Sequence, residues 1–136
     1  MTRVFADTQY WIAVVDPKDD LHERARQASG GLGGIRVVTS ETVLVEFLDA
    51  FADKGEQLRR AAIRTIEQLR RQPDVEIVPQ TSHLFREAFD LYRDRQDQEW
   101  SVTDCSSFVI MREREIREAL THDHHFEQAG FTALLR

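Results

Sequence analysis

The 136-residue chain predicts an α/β domain: a mainly parallel sheet with helices on both faces. Three observations carry that expectation. Short strand-like apolar runs alternate with longer stretches of helical periodicity along the whole chain. The length suits one domain, 1–136, with a sizeable core, and no stretch has the composition of a linker, repeat or low-complexity segment. A hydrophobic share of 41% beside 31% charged residues is ordinary for a globular protein and argues against disorder.

Arg3 to Ala6 predicts a first buried strand, and Tyr10 to Val15 the start of a helix that Asp16-Pro17 ends. Asp20 to Ser29 predicts a polar helix, closed by the glycine-rich stretch Gly30 to Gly34. That stretch reads as a C-cap and turn. A phosphate cradle would carry a lysine and a hydroxyl into a helix, whereas strand-like Ile35 to Val38 follows here. Thr39 or Ser40 then caps a helix beginning near Glu41. Val43, Leu44, Phe47, Leu48 and Phe51 share its expected inward face, and Lys54-Gly55 ends it.

Gln57 to Arg71 predicts another helix, with Leu58, Ala62, Ile66 and Leu69 at helical spacing and Pro73 beyond its end. Val75 to Val78 is the third strand, bounded by Pro79. Ser82 to Asp94 predicts a helix with Leu84, Phe85, Ala88, Phe89 and Tyr92 turned inward. A polar loop, Arg93 to Gln98, leads to Trp100 and a helix over Cys105 to Arg114. Glu118 to Thr121 is a fourth strand, Phe126 to Ala129 a turn of helix, and Phe131 to Leu135 a last strand.

Charge and cysteine usage narrow the class. The longest apolar run, Tyr10 to Val15, is too short to cross a membrane, and the N-terminus has no apolar signal region. A single cysteine excludes internal disulfides and fits a reducing cytoplasm. The net charge of −6 argues against a general nucleic-acid coat protein but not against a nuclease, whose own carboxylates add to that figure. Sixteen of the eighteen basic residues are arginine, which suits bidentate contacts to phosphate or carboxylate.

Asp7, Asp104 and Asp123 occupy equivalent places in the α/β pattern, where residues past strand ends gather in one crevice. Each alone reads as a cap or turn aspartate. Together they would repel unless a hard cation such as Mg²⁺ or Mn²⁺ held them, and such a centre suits phosphodiester hydrolysis. Glu46 is weaker by pattern, since it lies roughly 60° from Val43 at the margin of the apolar face. Glu41 and Asp49 compete with it on the same helix.

Other candidates have blander readings. His122, His124 and His125 surround Asp123, but neighbouring histidines rarely converge on one ion and no HExxH or CxxC spacing is present. A histidine zinc site is therefore disfavoured, leaving one histidine to orient a water or contact RNA. Cys105 reads as a buried thiol, and Tyr10, Trp11 and Trp100 as core rather than base-stacking platforms. The pairs Arg59-Arg60 and Arg70-Arg71 read as solvated faces.

The segments FADT, ETVLVEF, WSVTDCSSF and ALTHDHHFEQAGF, taken in order from Phe5 to Leu134, resemble those of PIN-domain ribonucleases. The likeness is greatest to the VapC-type toxins of bacterial toxin–antitoxin pairs. It implies a three-layer PIN-like fold and a site made of Asp7, Glu46, Asp104 and Asp123, with Thr103 the hydroxyl before the third acid. By the same resemblance Asp7 and Asp104 would bind Mg²⁺ or Mn²⁺ most directly, and Asp123 and Glu46 would complete the site. Thr8 follows the first acid, as it often does in the family.

The resemblance further implies RNA as substrate, a homodimer, and an antitoxin partner that inserts an arginine or lysine near the acids. A PIN nuclease of RNA maturation without an antitoxin, and a PIN-like binding module, are the alternatives. A haloacid-dehalogenase-like phosphatase would want an aspartate where Gln9 stands.

Overall fold

The computed structural model describes residues 2–136. Five strands form one parallel sheet: β1 (Arg3–Ala6), β2 (Arg36–Ser40), β3 (Val75–Val78), β4 (Glu118–Leu120) and β5 (Thr132–Ala133). Among the described residues seven helices connect or follow them: α1 (Thr8–Val15), α2 (His22–Gly30), α3 (Glu41–Ala50), α4 (Glu56–Arg71), α5 (Ser82–Asp94), α6 (Val102–Glu113) and α7 (His124–Gln128). The strand order is β3-β2-β1-β4-β5. The chain therefore builds outward from β1 to one edge and returns on the other side of β1. The crevice between β1 and β4 is the switch point of an open parallel sheet, where ligands bind.

Register carries that crevice to the acids. Ala6 lies beside Leu120 across the β1–β4 pair, and the Asp7 amide extends the ladder by donating to the Leu120 carbonyl at 3.3 Å. The central strands are apolar on both faces, as a sheet covered by helices requires: Val4, Phe5 and Ala6 are buried, as are Val37, Val38, Thr39 and Ser40. Tyr10, Trp11 and Trp100 are buried, as their core reading requires, and the Trp11 indole donates to Thr39 Oγ1 at 3.2 Å.

Several boundaries and faces differ from expectation for identifiable reasons. Helix α6 starts at Val102, three residues early, because Ser101 and Asp104 form a reciprocal capping box. Ser40, one of the two candidate caps, accepts from the Val43 amide at the start of α3. Helix α3 stops at Ala50, with Phe51 as its C-cap, rather than at Lys54-Gly55. Gly55 instead precedes α4 as its N-cap, in the left-handed region at φ +92, which favours glycine. The last strand shrinks from five expected residues to Thr132–Ala133.

Two inward faces are corrected. Leu48 on α3 is exposed, and so are Phe85, Phe89 and Tyr92 on α5. Helix α5 buries Leu84 and Ala88, with Leu91 partly buried against the core. The three aromatics, at spacings of four and three, form a second stripe that the first does not cover. Phe85 and Phe89 stack on each other with ring centroids 6.4 Å apart.

An aromatic cluster anchors the C-terminal third. Phe108, fully buried on α6, meets Trp100 at 5.0 Å and Phe126 of α7 at 5.0 Å, both edge to face, and Phe131 at 5.7 Å. These contacts fix α7 against α6, and with it the residues at the start of α7. Phe108→Ala is expected to lower the unfolding free energy in urea by about 3–5 kcal/mol. Ile63→Ser, at an exposed position of α4, should stay within about 0.5 kcal/mol. Equal losses would contradict this placement of the core.

Candidate metal centre

Asp7 sits at the N-cap position of α1, yet its carboxylate makes no cap hydrogen bond. The side chain is thus free of the role that a lone strand-end aspartate would normally fill. It is buried, 5% exposed, and one oxygen accepts from the Thr121 hydroxyl at 3.0 Å. Asp123 stands at the N-cap of α7, where Oδ1 accepts from the His125 amide at 2.9 Å. Its own amide donates to Thr121 Oγ1 at 3.1 Å. Thr121, fully buried just beyond β4, therefore links the first and fourth acids.

Asp104 arrives differently. No strand precedes it; it is the third residue of α6, entered from the loop after α5. The Ser101 amide donates to its Oδ2 at 3.1 Å, while its own amide donates to Ser101 Oγ at 2.9 Å. Glu46 reaches in from α3, and the Thr8 hydroxyl donates to its Oε1 at 2.6 Å. Its competitor Glu41 is occupied elsewhere, accepting from the Gln80 amide at 2.7 Å. Asp49 shares the cleft with Glu46.

Asp7, Glu46, Asp104 and Asp123 all line one open cleft of about 620 Å³. Asp49 and Glu99 line it too, and no lysine or arginine does. Thr103 is half-buried on α6 and is not among the lining residues, whereas Ser101 is. Ser101, three residues before the third acid, also lines the cleft and shares a capping box with Asp104, a pairing legible in the S-x-x-D spacing. Sequence reading also passed over Thr121, whose only signal is a hydroxyl at a strand end.

Of the three histidines around Asp123, His125 is the one that turns toward the acids. Its Nδ1 lies 3.2 Å from Asp104 Oδ2 and 3.2 Å from Asp123 Oδ1. His124 points outward, 59% exposed and 3.7 Å from Asp123. Asp123, His124 and His125 offer donor atoms within 4.8 Å of one another.

The electrostatics follow from crowding and burial. Burial pushes Asp7 up to about 7, aided by the charges of Asp104 and Glu46 and opposed by hydrogen bonds from Thr8 and Thr121. Burial raises Asp104 as well, with Asp123 adding to the effect and Ser101 and His125 opposing it. Cys105, buried behind Asp104, is pushed up to about 11 by burial and by that neighbouring charge, so it is no nucleophile. Four carboxylates on one cleft, two of them raised by burial, with an imidazole as the one nitrogen base among them, form a donor set that fits a hard divalent cation.

A parallel sheet whose switch point gathers acids onto one cleft defines the class, and the chain belongs to the PIN-domain family: that domain matches residues 4–132. Among its relatives is the 23S rRNA-specific endonuclease VapC20 of Mycobacterium tuberculosis. The two are 30% identical over 131 residues, 94% of this chain and 95% of the relative, and the match is the same in two strains. The crystal structure of M. tuberculosis VapC20, described as a sarcin–ricin loop cleaving toxin, matches with a TM-score of 0.84 at 27% identity. That match covers 95% of this chain and 96% of the other.

The Asp7 shift has a thermodynamic sign. Its carboxyl holds a proton more tightly in the folded protein, at about 7, than at the ordinary value of 3.8. The stability it contributes is therefore fully present below pH 3.8 and is lost as the pH rises through about 7, in total up to ~4 kcal/mol. In metal-free buffer, Asp7→Asn is expected to become more stable than wild type as the pH is raised from 5 to 8. Urea unfolding at each pH would read this, and a gap independent of pH would refute it.

Proposed function

We propose that the protein is a metal-dependent endoribonuclease that hydrolyses RNA phosphodiester bonds and serves as the toxin of a toxin–antitoxin pair. The observation that carries this reading is the convergence of Asp7, Glu46, Asp104 and Asp123 on one cleft that no lysine or arginine lines. The near full-length match to a 23S rRNA-specific endonuclease supports it.

Asp7 and Asp104 would hold Mg²⁺ or Mn²⁺ most directly, and Glu46 and Asp123 would complete the site. A cation bound there supplies activated water and neutralises charge on the phosphate. Thr121 orients Asp7, Thr8 orients Glu46, and Ser101 fixes Asp104, so the donors stand in place before any ligand arrives. The names of the relative and of the solved structure favour a loop of large-subunit ribosomal RNA as substrate.

The same acidic cleft suits an antitoxin that inserts an arginine or lysine. Exposed Val45, Leu48, Phe85, Phe89 and Tyr92 supply apolar surface for a homodimer. Among the described residues no helix is long and apolar enough to cross a membrane. A cytoplasmic protein with one buried free thiol fits these features.

With Mg²⁺ or Mn²⁺ present, the protein is expected to cleave ribosomal RNA, and excess EDTA should stop it. Asp104→Asn should lower the rate at least ~100-fold while circular dichroism stays unchanged. Unaltered cleavage by Asp104→Asn and by Asp7→Asn would end this reading. For the homodimer, Phe85→Glu combined with Phe89→Glu should shift wild-type dimer to monomer in light scattering. A double variant that remains dimeric would place the interface elsewhere.

A further inference from the structure

We propose that His125 is a nitrogen ligand of this metal centre and biases it toward Mn²⁺ over Mg²⁺. The inference rests on the metal-nuclease reading above and adds a donor of a different chemical kind to its carboxylates. Its basis is the position of one atom. His125 Nδ1 lies 3.2 Å from Asp104 Oδ2 and 3.2 Å from Asp123 Oδ1. Adjacent ligands on an octahedral ion with bonds of about 2.1 Å stand roughly 3 Å apart. The imidazole nitrogen therefore sits at ligand spacing from two carboxylates, one on α6 and one at the N-cap of α7.

The ring is held there by its neighbours. Its own amide is bonded to Asp123 Oδ1, which fixes the first turn of α7. The next residue, Phe126, is fully buried against Phe108. The imidazole is 20% exposed, and the Asp104 and Asp123 side chains it faces are 13% and 20% exposed. His124, by contrast, lies at the surface and at 3.7 Å from Asp123. His124 and His125 both offer donor atoms near Asp123, but only the His125 ring lies between two carboxylates.

The donor type sets the preference. Mg²⁺ takes oxygen ligands almost exclusively and gives up its waters reluctantly, whereas imidazole nitrogen suits transition-metal ions. A centre of carboxylates plus one imidazole should therefore accept Mn²⁺ with a direct nitrogen bond. A role confined to hydrogen bonding would instead leave His125 outside the coordination sphere, holding Asp104 and Asp123 in place.

Pulsed electron paramagnetic resonance on the full chain loaded with Mn²⁺ separates the two. Nitrogen modulation of the Mn²⁺ signal is expected in the wild type and in His124→Ala, and it should vanish in His125→Ala. In isothermal titration, His125→Ala should weaken Mn²⁺ binding about tenfold or more while changing Mg²⁺ binding much less. Bound Mn²⁺ with no nitrogen modulation in the wild type would overturn the inference and leave the nuclease reading standing. So would modulation that survives in His125→Ala. Failure of the wild type to bind Mn²⁺ or Mg²⁺ at all would remove the metal-nuclease reading, and this inference with it.

Discussion

The pairing of β1 with β4 is the contact on which the rest depends. It joins residues more than a hundred positions apart, with Ala6 beside Leu120 and the Asp7 amide on the Leu120 carbonyl. Only through that pairing does Thr121 come within reach of both Asp7 and Asp123. The loop-closure entropy is offset elsewhere, by strands buried on both faces and by helices that cover them. The polar cleft is then a by-product of apolar assembly: the sheet folds for its core, and the acids are carried to the same end.

A second anchor controls precision. Asp104 and His125 belong to α6 and α7, which are not joined by a strand ladder at the cleft. Their relative position is set by Phe108 packed among Trp100, Phe126 and Phe131. Close-packed rings move little, so the distances between polar atoms a few ångströms away are held as well. The packing takes Asp7 and Asp104 largely out of water, and that burial, with a smaller push from neighbouring carboxylates, raises both. The cleft is an assembly under electrostatic tension, relieved by protons or by a cation.

Much of this could be read along the chain, because the strong signals are local. The four longer strands and the helices follow from periodicity, and Asp7 and Asp123 from their places just past strand ends, whereas Asp104 enters on a helix that no strand precedes. What failed was anything decided between elements. Phe85, Phe89 and Tyr92 are apolar at helical spacing, but a helix has two possible stripes and only packing selects the one that Leu84 and Ala88 occupy. Leu48 fails for the same reason. Glu46 looks like a solvated flank on its own helix, and it is exposed; its meaning comes from Thr8 on another helix. Which of the three neighbouring histidines faces the acids is not legible either, because a run of histidines does not say which ring turns inward. Ser101 was legible in principle, since its spacing to Asp104 is that of a reciprocal cap.

The edges of the sheet bear on how other chains can grip this molecule. At one edge β5 offers two residues, and at the other β3 offers four, followed at once by Pro79. Neither exposes a row of free backbone amides and carbonyls long enough to template an added strand. An added sixth strand would find only these short edges, whereas the helices offer far more side-chain surface. The same brevity limits edge-to-edge pairing of one sheet with another.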